Sequence, residues 1–130
     1  MSGVTPAPLV LIVEDDPSVR SLLDTLLTSE GYRVATASDG VAGLTEASAN
    51  RPAIILLDLV MPDLGGLRVL DEMRASPTLA GVPVLVLTGR VEAIPALEDQ
   101  LGTDRVFSKP FGVEDLLARI AELTGKAPTS

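Results

Sequence analysis

Four places in the chain carry side chains suited to joint metal and phosphoryl chemistry. They are the Glu14-Asp15 pair in LVLIVEDDP (Leu9 to Pro17), Asp58 after Ala53–Leu57, Thr88 after Val82–Leu87, and Lys109 before Pro110. Each stands at the end of a short, mostly apolar run. Two carboxylates about 4 Å apart repel by about 4 kcal/mol at an effective dielectric near 20. A cluster of three therefore demands either protonation or a cation, and oxygen donors completed by water suit Mg²⁺. Three carboxylates, a divalent ion and the Lys109 ammonium sum to zero charge, a setting able to receive a phosphoryl group. A carboxylate held rigidly there, such as Asp58, can act as a nucleophile and become an aspartyl-phosphate. Such a transfer rests on positioning and charge neutralisation more than on elaborate covalent machinery. The Thr88 hydroxyl and Lys109 would each contact the phosphoryl oxygens. Asp16 reads differently, as a helix N-cap with Pro17 at the first helical position.

Lys109 is also unusual within this composition. Of ten basic residues eight are Arg, and the other Lys, Lys126, lies near the end of the chain. A compact ammonium suits a point contact to phosphate and carboxylate better than a planar fork does.

Strands alternating with helices must bring these residues together. Leu9–Val13 reads as a strand buried on both faces. Val19, Leu22, Leu23, Leu26 and Leu27 mark an amphipathic helix that Gly31 ends. Tyr32–Ala37 predicts a second strand and the small residues up to about Ala49 a second helix. Ala53–Leu57 is the third strand, and a helix runs from Leu67 to about Ala75 after the MPDLGG loop. Val82–Leu87 is the fourth strand. Within Glu92–Leu101, Pro95 permits only a short helix starting at the proline. Arg105–Ser108 is a brief fifth strand, and Val113, Leu116, Leu117 and Ile120 mark the last helix. This alternation predicts a doubly wound α/β fold with a parallel sheet and helices on both faces. Ligands in such folds bind beyond the carboxyl ends of the strands, where all the candidate residues stand.

The composition narrows the possibilities. A chain of 130 residues and 13.5 kDa is one domain, and with 46% hydrophobic residues but one Tyr, two Phe and no Trp its core is aliphatic. The absence of cysteine removes disulfides and thiolate metal sites. A net charge of −8 argues against docking on nucleic acid or anionic membranes through bulk charge. No apolar run is long enough to span a bilayer. The opening MSGVTPAP has neither a basic start nor an apolar signal core, so a cytoplasmic location is expected.

With these motifs in hand, LIVEDDP, LLDLVMPDLGG, VPVLVLTG and VFSKPF in that order, residues 8–124 resemble the receiver domain of bacterial two-component response regulators, the CheY-like family. The resemblance leaves residues 1–7 and 125–130 as tails. It implies a flavodoxin-like, five-stranded sheet of order 2-1-3-4-5. It makes Asp58 the phosphoacceptor, Glu14 and Asp15 the acidic pair holding Mg²⁺, and Val60 the donor of a backbone carbonyl to that ion. Thr88 becomes the hydroxyl that moves toward the phosphoryl group and Lys109 the family lysine, followed by a cis bond to Pro110. The implied partners are a histidine kinase or histidine phosphotransfer protein and a downstream protein that no residue names. Signalling is expected through the face of the fourth helix, fifth strand and fifth helix, with no direct nucleic-acid or membrane contact. A monomer or a phosphorylation-linked dimer is expected, and self-directed phosphoryl transfer and loss rather than enzyme turnover.

Three positions depart from the family pattern. Val106 stands where an aromatic switch residue is frequent, and Phe107 beside it faces the other way, so it is no substitute. Val60 and Arg90, each two places past Asp58 and Thr88, flank the path of the attacking water by analogy. An apolar Val60 cannot orient that water, which implies slow dephosphorylation; a phosphoryl lifetime unchanged in Val60→Asn would contradict this. The segment around Pro95 is short, and low hydrogen-exchange protection is expected there. Other readings are a phosphorylation-independent receiver-like scaffold, or a receiver cut from a longer regulator. A Mg²⁺-dependent aspartyl phosphatase would need a second Asp at position 60, and a flavin module would need phosphate-cradling residues where Glu14-Asp15-Asp16 stand.

Overall fold

A computed structural model describes residues 7–58 and 66–125. The strands β1 (Leu9–Val13), β2 (Arg33–Ala37), β3 (Ile54–Asp58), β4 (Val84–Thr88) and β5 (Val106–Ser108) alternate with the helices α1 (Pro17–Ser29), α2 (Gly40–Ala49), α3 (Gly66–Ala75), α4 (Ile94–Leu101) and α5 (Val113–Thr124). All strand pairs are parallel, in the order β2-β1-β3-β4-β5. This is the doubly wound, flavodoxin-like topology expected of the alternating pattern and the resemblance.

Alternate residues of the central strands serve opposite faces of the sheet. Leu11, Val13, Ile55, Leu57, Val84 and Val86 pack with Ala47 of α2, Val69, Leu70 and Met73 of α3 and Leu97 of α4. Val10, Ile12, Ile54, Leu56, Leu85 and Leu87 pack with Leu23 and Leu27 of α1 and Leu116 and Ile120 of α5. With helices on both faces, strands β3 and β4 are buried along their whole length, which is why their sequences are nearly continuous apolar runs.

Local chemistry sets the helix ends. The Asp16 carboxylate accepts from the Ser18 and Val19 amides at 2.8 and 3.4 Å, and Asp39 from Ala42 at 2.8 Å. Each thus satisfies an otherwise unpaired first-turn N–H. Pro95 sits in the first turn of α4, where its missing N–H removes no helical bond.

Four strands differ from expectation: β3 runs Ile54–Asp58 rather than Ala53–Leu57, and β2, β4 and β5 start later because an amide serves a turn or is missing. The Tyr32 amide donates to the Leu27 carbonyl at the end of α1, so β2 starts at Arg33. The Val82 amide donates back to Leu79, and Pro83 has no N–H, so β4 starts at Val84 and extends through Thr88. Arg105 belongs to a 3₁₀ turn over Thr103–Arg105 rather than to β5. Asp58 is itself the last residue of β3 and pairs in register with Leu87.

Candidate functional site

Parallel register brings the strand ends to one edge. Val13 lies opposite Leu57, so Glu14 follows β1 next to the end of β3, where Asp58 stands. Thr88 lies opposite Ser108, and the Lys109 amide donates to the Thr88 carbonyl at 2.8 Å. The Glu14 amide donates to the Ala37 carbonyl at 3.0 Å, so backbone bonds to β2 hold the first acid as firmly as the strand before it.

The side chains complete a compact polar site. One carboxylate oxygen each from Glu14, Asp15 and Asp58 lies within 4.8 Å of the others. Lys109 Nζ donates to Glu14 Oε1 at 2.8 Å and lies 3.6 Å from Asp58 Oδ1. Glu14, Asp58 and Thr88 are the buried polar or charged residues among those described, whereas Asp15 is exposed at the mouth. Burial alone would lower the Lys109 pKa. The Glu14 hydrogen bond and the charges of Asp58 and Glu14 outweigh it and leave the ammonium above its ordinary range. The Thr88 hydroxyl accepts from the Arg90 amide at 2.9 Å, which leaves its O–H to donate.

The donor set fits a hard divalent cation. Three carboxylates face a single ammonium, so the cluster retains net negative charge, and the exposed Asp15 opens it to water. Oxygen-only coordination with room for water is the environment Mg²⁺ takes. Glu14, Asp15, Asp58, Thr88 and Lys109 are thus gathered at one edge of the sheet. Asp16 stands apart as a helix cap, and Val60 lies outside the described residues. The Lys109-Pro110 bond is cis, as the resemblance implied. Val106 packs with the core on the α3–α4 side of the sheet and Phe107 with that on the α1–α5 side, so the adjacent aromatic does not take the switch position.

One contributor went unrecognised in the sequence. Arg20 Nη1 donates to the Glu14 carbonyl at 3.0 Å, tying the first turn of α1 to the loop that carries the acidic pair. An arginine four residues after an N-cap is an ordinary surface residue by pattern, so only the folded loop reveals this bond.

A doubly wound α/β sheet with acidic residues, a hydroxyl and an ammonium at its carboxyl edge defines the class. The response regulator receiver domain family matches residues 10–121. The chain belongs to this family, the receiver domains of two-component response regulators. The DNA-binding dual master transcriptional regulator RpaA of Synechocystis is 36% identical over 121 residues, covering 89% of this chain and 48% of that protein. The chain spans about half the length of the curated relatives it matches. Among solved structures, chemotaxis protein CheY4 of Vibrio cholerae is similar, with a TM-score of 0.80 and 29% identity over 90% of this chain and 98% of that one. The receiver domain of a Pseudomonas aeruginosa sensor histidine kinase, solved with a magnesium ion coordinated in its active-site cleft, has a TM-score of 0.82 and 29% identity. That match covers 92% of this chain and 99% of the other. No helix among the described residues is long and apolar enough to cross a membrane.

Proposed function

We propose that this receiver accepts a phosphoryl group on Asp58 from a histidine kinase or histidine phosphotransfer protein, in a Mg²⁺-dependent reaction in the cytoplasm. The carrying observation is the meeting of the Glu14, Asp15 and Asp58 carboxylates within 4.8 Å beside Lys109. Glu14, Asp15 and Asp58 would hold the ion, with the Val60 carbonyl added by family resemblance. When bound, the ion supplies positive charge for the carboxylates and the incoming phosphoryl oxygens.

The chain's own residues do the rest. A carboxylate oxygen of Asp58 forms the new O–P bond as the N–P bond of the donor histidine breaks, and that electron pair stays on the imidazole nitrogen. Lys109, held between Glu14 and Asp58, offers its ammonium to the arriving oxygens. Thr88 donates its O–H, and its move toward the phosphoryl group would pull on the Arg90 amide bonded to its oxygen. That pull is the route by which the loop before α4 would change, altering the face formed by α4, β5 and α5 for a downstream protein. The domain would act as a phosphoacceptor for signalling rather than turn over a separate substrate.

Val106 supports a second reading, a receiver-like scaffold that works without phosphorylation, because the usual aromatic relay has no residue here. For the whole protein, output through DNA is the reading that a DNA-binding relative about twice this length favours, while the net charge of −8 disfavours nucleic-acid contact by this chain. Incubation with a small-molecule phosphodonor and Mg²⁺ separates the two readings. A phosphoryl mass gain that is lost in Asp58→Asn supports the first, and no gain in the unaltered chain refutes it.

A further inference from the structure

A second site lies at the opposite end of the sheet, at the amino ends of β4 and β5. Between α3 and α4 the surface opens into a cavity of about 180 Å³. Leu70, Met73, Leu79, Val82, Val84 and Leu101 are among its apolar walls, and Arg74, Gln100 and Arg105 also line it. The two arginines draw attention because their charges are unanswered. Neither forms a side-chain hydrogen bond or ion pair among the described residues, although the chain has 18 acidic residues against 10 basic ones. Lys109 and Arg119, by contrast, each engage two acids. Arg105 Nε, like Arg119 Nε, is buried with no acceptor among the described residues.

The backbone explains how Arg105 comes to line the cavity. Gly102 ends α4 at φ +102° and ψ 150°, a conformation essentially reserved for glycine. The 3₁₀ turn that follows delivers Arg105 just before β5. Because Arg105 Nε is closed off, an acceptor supplied from outside would meet the Nη groups of the same guanidinium, which no acidic residue engages among those described.

Size and chemistry together define the occupant. An enclosed apolar cavity of about 150 Å³ holds a benzene molecule; this cleft of about 180 Å³ has comparable room but is open to solvent and polar on one side. A guanidinium presents a planar fork that matches a carboxylate with two parallel hydrogen bonds. We propose that this cavity binds a small organic carboxylate whose apolar body is about the size of a benzene ring. The body rests on Leu70, Met73 and Leu101, and the carboxylate engages Arg105 with Arg74 beside it. An inorganic anion would leave the apolar walls wet, and a neutral ring would leave both guanidinium charges without a counter-ion.

The test is NMR titration of the full chain with benzoate, benzamide and inorganic phosphate in parallel. Benzoate is expected to saturate with a dissociation constant on the order of millimolar, shifting amides within residues 70–84 and 100–106. Arg105→Gln should weaken it about tenfold, the loss of a charge-assisted hydrogen bond. Arg74→Gln, at an exposed position that does not endanger folding, should weaken it by a smaller factor. Benzamide should bind at least about tenfold more weakly than benzoate. The proposal is overturned if benzoate does not saturate, if phosphate or benzamide binds as tightly, if both arginine variants bind unchanged, or if the shifts centre on Glu14 and Lys109.

Discussion

Lys109→Met keeps an unbranched side chain of similar length and deletes one charge from between two buried carboxylates. The Glu14 side chain is 1% exposed, that of Asp58 6%, and that of Lys109 25%. At an effective dielectric near 20, the separations of 2.8 and 3.6 Å correspond to gross attractions of about 6 and 5 kcal/mol. Desolvation of the three groups offsets much of this, and removing one partner of a buried pair costs about 3–5 kcal/mol. Because the ammonium is a quarter exposed, the lower end applies, about 3 kcal/mol in metal-free buffer. In a domain of this size that lowers the melting temperature by about 10 °C. Urea unfolding followed by circular dichroism measures it. Two further results belong to the same reasoning. Mg²⁺ should raise the melting temperature of Lys109→Met more than that of the parent, since the ion replaces the missing charge. The gap between the two proteins should also close in alkali. The folded Lys109 pKa lies above the ordinary 10.5, so its contribution is full below that value and is lost as pH rises through the folded one. A variant within about 0.5 kcal/mol of the parent without metal, or equal Mg²⁺ stabilisation of both, would refute the reasoning.

Arg20→Met removes the bond to the Glu14 carbonyl and should lower Mg²⁺ affinity about tenfold by calorimetry, as loss of a group supporting metal ligands does; an unchanged affinity would show that the loop holds itself. Gly102→Ala places a side chain at φ +102°, with its Cβ 3.1 Å from Asp104 Oδ1. It should cost about 1–3 kcal/mol, read as a lower urea midpoint at unchanged slope, and an unmoved midpoint would deny the strain. Tyr32 is the sole tyrosine, so ultraviolet absorbance reports its ionisation alone. Burial chiefly, with the Glu30 charge adding and the Thr124 hydroxyl opposing, holds its pKa above 10.0. Stability should therefore fall as pH rises from 10.0 through the folded value, and Thr124→Val should push the titration higher still; a titration at the ordinary value would contradict this.

Much of the molecule is written in local chemistry that the chain carries in any conformation. Apolar runs of four to six residues mark strands covered on both faces. Asp16-Pro17 and Gly31 mark the ends of α1 because a carboxylate cap, a missing N–H and a positive φ each suit one end of a helix. The rule that parallel sheets collect polar residues beyond their carboxyl ends was enough to group Glu14, Asp15, Asp58, Thr88 and Lys109. Boundaries slipped at Tyr32, at Val82-Pro83 and at Arg105, where amides serve neighbouring turns or no N–H exists, a matter of partners rather than of propensity.

The tertiary structure alone decided the finer ranking within the site. Residues 95 positions apart meet at 2.8 Å, and strand register makes Glu14 a nearer partner of Lys109 than Asp58 is. The Gly102 turn likewise commits Arg105 to a cavity whose other walls come from α3, α4, β4 and the turn before β4. Sequence periodicity says which face of an element is apolar. It carries no information about which remote element supplies the next atom, because that distance is set by packing the whole sheet at once.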